Sequence, residues 1–176
     1  MNKRICFASL FLLIATFLVL GSAAAMADTV VYNNGAPNGN DAWTINFGFW
    51  VEDSFTLTTT GNLTQINFAA WLIPGDVIQT VRWTIFSAGA GAGGGGPILR
   101  SGTAVVTSGA SCGTDCLEET FSLPSLHLTP GTYYLRLQNA VVTNGDPAYW
   151  AESGGPSKAY QSTVGSIPSE SFQVIE

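Results

Sequence analysis

The chain has 176 residues, with 12 acidic side chains against 6 Lys and Arg and a formal charge of −6 at pH 7. That balance excludes nucleic acid as the expected partner, because phosphate binding draws on clustered basic side chains. Charged residues make up only 10% of the chain, so Gly, Thr, Ser and Asn fill its polar positions and the expected surface is polar but weakly charged.

Lys3 and Arg4 precede an apolar run over 5–20, and small residues follow as far as Ala27. A basic start, an apolar core and an A-x-A-like site are the three parts of a secretory signal peptide, with cleavage expected after Ala27. The run is shorter than the roughly 20 residues a membrane span needs, so no stable membrane anchor is expected after cleavage. Cys6 lies on the wrong side of the apolar run for lipid attachment. The expectation is a signal peptide at 1–27 and one secreted, extracellular domain at 28–176, with the periplasm as the other compartment open to it. Removing Lys3 and Arg4 leaves that domain still more acidic.

Along 28–176, β-rich runs alternate with turn residues, and no apolar pattern of helical period persists for three turns. Strands are expected at 29–32, 43–50, 53–59, 64–72, 77–86, 98–106, 118–123, 131–142, 148–152, 159–162 and 171–175. Alternation predicts that Ile66, Phe68, Ala70 and Leu72 share one buried face, as do Val81, Trp83 and Ile85, and Tyr133, Leu135 and Leu137; Tyr134 and Arg136 then point outward. Turn chemistry separates the runs at Asn38-Gly39, Pro74-Gly75-Asp76, Pro130-Gly131 and Asn144-Gly145-Asp146-Pro147. This spacing implies an all-β, two-sheet antiparallel β-sandwich of jelly-roll type.

The Gly-rich stretch at 88–97 is not a phosphate cradle, which requires a Gly-Lys-Ser/Thr ending that opens a helix; here Pro97 and a strand follow. A mobile connection between strands is expected instead. In an oxidising compartment Cys112 and Cys116 are expected to form a disulfide, and so short a closed loop is worth about 2 kcal/mol in the chain-entropy model. Three residues separate the pair where redox motifs have two, and a zinc site would need further ligands.

His127, the single histidine, has no G-x-S-x-G nucleophile elbow to serve. Paired carboxylates could run glycoside hydrolysis, and Glu52, Asp53, Glu118, Glu119, Asp146 and Glu152 supply acids. Neighbours on a strand face opposite ways, however, so neither adjacent pair is a dyad by itself. Hard oxygen donors on turns suit calcium. Asn38, Asn40 and Asp41, with Asn34 nearby, form one such group and Asn144 with Asp146 another, so a structural calcium ion is the one cofactor considered. Flat aromatics that stack on sugar rings, beside side chains that hydrogen-bond to hydroxyls, are the remaining handle: Trp71, out of phase with the buried set of its strand, with Tyr134, Arg136 and Trp150.

Val51-Glu-Asp-Ser-Phe-Thr-Leu57, Ile66-Asn-Phe-Ala-Ala-Trp-Leu-Ile-Pro-Gly-Asp76 and Val81-Arg-Trp-Thr-Ile85 form one set of recognisable stretches. Leu128-Thr-Pro-Gly-Thr-Tyr-Tyr-Leu-Arg-Leu-Gln-Asn-Ala140, Asn144-Gly-Asp-Pro-Ala-Tyr-Trp150 and Ile167-Pro-Ser-Glu-Ser-Phe172 form a second. Together they resemble exported bacterial β-sandwich proteins of the PEP-CTERM, exosortase-sorted class, over most of residues 51–175. The resemblance implies export and association with cell-surface or extracellular polysaccharide, and it brings no catalytic residues. Members of the class end in a Pro-Glu-Pro signal, an apolar helix and a basic tail. This sequence instead ends Phe172-Gln-Val-Ile-Glu176 in an expected strand, which predicts release rather than covalent anchoring. The leading expectation is a secreted, non-enzymatic sandwich that binds extracellular polysaccharide, other glycan or a matrix protein. A glycoside-active enzyme and a structural subunit assembling through sheet edges are the alternatives.

Overall fold

The computed structural model describes residues 28–89 and 92–176; the expected signal peptide at 1–27 lies outside the described residues. The chain forms β1 (Val30–Asn33), β2 (Pro37–Thr44), β3 (Trp50–Leu57), β4 (Gly61–Trp71), β5 (Ile78–Ala88), β6 (Gly95–Val105) and β7 (Thr107–Gly113). It continues as β8 (Cys116–Leu128), β9 (Gly131–Val142), β10 (Tyr149–Ser153), β11 (Ala159–Gln161), β12 (Gly165–Ile167) and β13 (Phe172–Ile175).

The strands build two antiparallel sheets packed face to face as a β-sandwich. In one, β4 pairs with β8 along one edge, and β8 pairs with β7. The other edge of β4 is shared end to end: β13 takes Gln65 to Phe68 and β10 takes Ala70 and Trp71. β1 then adds to β13, and β2 to β10. The second sheet runs β12-β11-β3-β9-β5-β6.

Period-2 alternation places the core. Ile66, Phe68, Ala70 and Leu72 are buried, as are Val81, Trp83 and Ile85, and Tyr133, Leu135 and Leu137. Phe55 and Trp83 meet Phe68, Phe121, Trp150 and Phe172 from the opposite sheet in one cluster. Trp150 packs edge-on against Phe172 and Phe68, with centroids 5.5 and 6.3 Å apart, a favoured arrangement for aromatic quadrupoles.

Four features depart from the sequence-based expectation. The run at 43–50 is not one strand: β2 stops at Thr44, and a turn with Phe47 at φ 53° and Gly48 at φ 87° intervenes before β3. Asn46 anchors that turn, donating to the Asp146 carbonyl at 2.9 Å and accepting from the Ala148 N–H. β7 and β12 arise from Ser/Gly-rich segments lacking β-branched runs, ordered by pairing with β8 and β11. β8 continues past Pro124, and its register with β4 slips there, between Leu63 and Gln65, as expected where a residue without an N–H interrupts a ladder. Finally, the end of the Gly-rich stretch is strand: Gly95 pairs with Ala88, and Gly89 donates to the Gly94 carbonyl at 2.9 Å.

Candidate functional site

Trp71 ends β4 on the outward phase, half-exposed, with Tyr149 of β10 opposite it on one side and Cys116 of β8 on the other. Cys112 and Cys116 form the expected disulfide, with Cα atoms 5.0 Å apart. The bridge holds a tight loop in which Asp115 takes φ 56° and its carbonyl accepts from the Leu72 N–H. Trp71 is thereby framed by the loop and by the start of β2. Together they line a cleft of about 450 Å³ that also carries Asn38 and Thr114. A shallower hollow of about 220 Å³ continues past the indole to Pro74 and Tyr149. A partly buried indole beside a tyrosine, with amide, hydroxyl and carboxylate groups at the rim, is an apolar platform with convergent polar groups.

The other three residues expected to bind with Trp71 lie elsewhere. Trp150 is fully buried and its indole N–H donates to the Ser171 carbonyl at 2.9 Å; it pairs with inward-facing Ala70 while Tyr149 pairs with outward-facing Trp71. It is a core residue and not part of an exposed binding surface. Tyr134 and Arg136 project from the outer face of the second sheet, on the far side of the sandwich. There Arg136 donates from Nε and Nη2 to Glu52 Oε2 at 3.0 and 2.7 Å. Its guanidinium lies 3.9 Å from the Trp50 ring centroid and 4.6 Å from that of Phe86, and Trp50 stacks on Tyr160 at 5.6 Å. The glycine segment covers this group: the Gly95 N–H donates to Glu52 Oε1, and any Cβ on Gly94 would run into the Tyr134 ring and hydroxyl. Glu52 is fully buried beneath it, and burial raises its carboxyl against the lowering effect of Arg136. Rather than a mobile loop, residues 93–95 form a fitted cover.

The acids separate as strand alternation requires: Glu52 and Glu118 turn outward, Asp53 and Glu119 inward. Asp53 accepts from Ser54 N, Asn34 Nδ2, Ser157 Oγ and Glu170 N, yet burial still lifts it to about 7. Glu170, not singled out by sequence, is 0% exposed and neither carboxylate oxygen has a hydrogen-bond partner. Burial holds it well above the ordinary range, and the charges of Asp53, Glu152 and Asp41 push the same way. Glu152, buried, accepts from Trp43 Nε1 at 2.8 Å. Asp53, Glu152 and Glu170 are near enough for Glu170 to feel the charges of the other two, but all three are buried. His127 is exposed and meets only Asn62 across the β4–β8 ladder, at 3.0 Å.

The residues expected to hold calcium fall into two separate places. Asn38 and Asp41 cap local backbone N–H groups, of Asn40 and Ala42, and Asn40 is exposed beside them. Asn144 and Asp146 instead join Asp76: Asn144 Nδ2 donates to Asp76 Oδ1 at 2.5 Å. The Asp146 carboxyl is raised by burial and then by the neighbouring Asp76. Among the described residues no group of three or more His, Cys, Asp or Glu side chains converges, and no helix is long and apolar enough to cross a membrane. No known family model matches the chain, and no curated protein matches it.

Proposed function

We propose that this is an exported, non-enzymatic β-sandwich that binds extracellular glycan on the Trp71–Tyr149 face. The observation that carries this reading is the half-exposed Trp71 indole, set between Tyr149 and the Cys112–Cys116 loop on the floor of a cleft with Asn38, Thr114 and Asp115 at its rim. Sugar rings offer C–H faces to an aromatic plane and hydroxyls to a polar rim, and this surface supplies both. Burial of Asp53, Glu152 and Glu170 favours binding over paired-carboxylate hydrolysis, since a sugar cannot reach them. The signal-like residues 1–27, the disulfide and the likeness to polysaccharide-associated exported sandwiches are consistent with an extracellular or periplasmic setting.

The test is retention of the protein on a panel of insoluble and gel-immobilised polysaccharides, compared with Trp71→Ala and Tyr149→Ala. Retention by at least one polymer, abolished by Trp71→Ala with an unchanged fold, is expected. Failure of every polymer to retain the parent protein overturns the reading.

Assembly through a sheet edge is a second reading with its own observation. β6 is the outer strand of its sheet and exposes Ile98, Leu99 and Val105, the last at 75%; an apolar edge is a template for another strand. A concentration-dependent rise in mass by light scattering, suppressed by Val105→Lys, is the result it requires.

A further inference from the structure

We infer that Asp76, Asp146 and Asn144 form a binding site for a divalent cation, calcium in particular, that ties the turn after β4 to the loop before β10. Asp76 closes the turn Ile73-Pro-Gly-Asp76, its N–H donating to the Ile73 carbonyl. Its side chain is 3% exposed, and Oδ2 is buried with no hydrogen-bond donor. A buried carboxylate oxygen without a donor is costly, and the Asp146 carboxyl is near enough to feel the Asp76 charge. Two neighbouring carboxylates favour either a shared proton or a bound cation. The Asn144 amide already touches Asp76 Oδ1 at 2.5 Å, and rotation of that amide presents its own oxygen, the third hard donor. Carboxylate and amide oxygens on adjustable loops are the donor set calcium selects, whereas magnesium demands stricter octahedral geometry. With only two carboxylates the affinity belongs to the millimolar class typical of extracellular modules.

The site sits just downstream of Trp71 and just upstream of Tyr149, so an ion there would fix both ends of the aromatic platform. The inference does not rest on glycan binding, because its readouts are metal binding and stability. The purified protein is stripped with EDTA and titrated with calcium chloride by calorimetry, and its thermal midpoint is followed with calcium and with magnesium. One calcium ion per chain, a midpoint raised by millimolar calcium and less by magnesium, and affinity weakened roughly tenfold or more in Asp146→Asn are expected. Asp146 is half-buried where Asp76 is buried, so this variant folds even where Asp76→Asn does not. Asp41→Asn, which alters the other group of acids and amides, leaves calcium binding unchanged. No calcium-dependent heat or midpoint shift, or an equal shift in Asp146→Asn, overturns the site and assigns the pair to a shared proton.

Discussion

The carboxyls of this protein predict a pH dependence opposite to ordinary acid denaturation. Glu52, Asp53, Glu118, Glu119, Asp146 and Glu170 are all displaced upward, each chiefly by burial. A group whose pKa is higher folded than unfolded keeps a proton in the native state that the unfolded chain has released. Its stabilisation is complete below the unfolded pKa and is lost as pH rises through the folded one. For Asp53 that interval runs from 3.8 to about 7, and at 1.36 kcal/mol per pH unit the loss is about 4 kcal/mol. Glu119, lifted by burial from 4.5 to about 7 despite its bond from Ser108, adds roughly 3 kcal/mol by the same conversion. Together these approach the whole stability of a typical domain, about 5–15 kcal/mol.

Urea denaturation at about pH 5 and about pH 8, both in EDTA, measures the difference; a native state weaker by more than about 2 kcal/mol at the higher pH is expected. Glu170→Gln sharpens the test. A glutamine copies the neutral acid at a position where neither oxygen has a donor, so the variant should match the parent at the lower pH and exceed it at the higher. Equal stability at the two values, or greater stability at pH 8, refutes the reasoning.

Arg136→Leu should cost about 3–5 kcal/mol by leaving Glu52 buried and unpaired. The loss should shrink at acid pH and in the Glu52→Leu/Arg136→Leu double variant, as denaturant midpoints will report. Trp150→Ala empties the centre of the Phe68–Phe172 cluster and leaves the Ser171 carbonyl with the Ala69 N–H as its donor; a loss of about 3–5 kcal/mol, read by chemical denaturation, is expected. Replacing Cys112 and Cys116 together by Ala should lower stability by only about 2 kcal/mol. The same change loosens the loop beside Trp71, so indole quenching by acrylamide should rise.

What was legible in the sequence follows from how local each signal is. Ile66, Phe68 and Ala70 declare their face by alternation within a single strand, and Glu52 and Asp53 must face opposite ways on any strand. Tyr149 and Trp150 are adjacent aromatics, one inside and one outside. Alternation cannot say which, because the answer is the register that sets Trp150 against Ala70. Asp76 and Glu170 sit in turns, where no period exists, and long-range pairing alone buries them. The acid–amide groups around Asp41 and Asp146 looked equivalent in composition. They differ because Asp76 is brought to one of them from far away in the chain.

The glycines carry a similar lesson and bear on which face binds. In a sequence, Gly93 to Gly95 signal freedom; in the fold their worth is the missing Cβ, which lets backbone lie directly on Glu52, Tyr134 and Tyr160. The cover converts Trp50, Arg136 and Tyr134 from an open aromatic surface into a packed, charge-neutralised layer. Aromatic content by itself would favour that sheet as the recognition surface. With its rings stacked on one another and roofed by glycine backbone, that sheet offers no open ring face, and the proposed recognition surface is the opposite sheet, where Trp71 lies half-exposed in its cleft beside Tyr149.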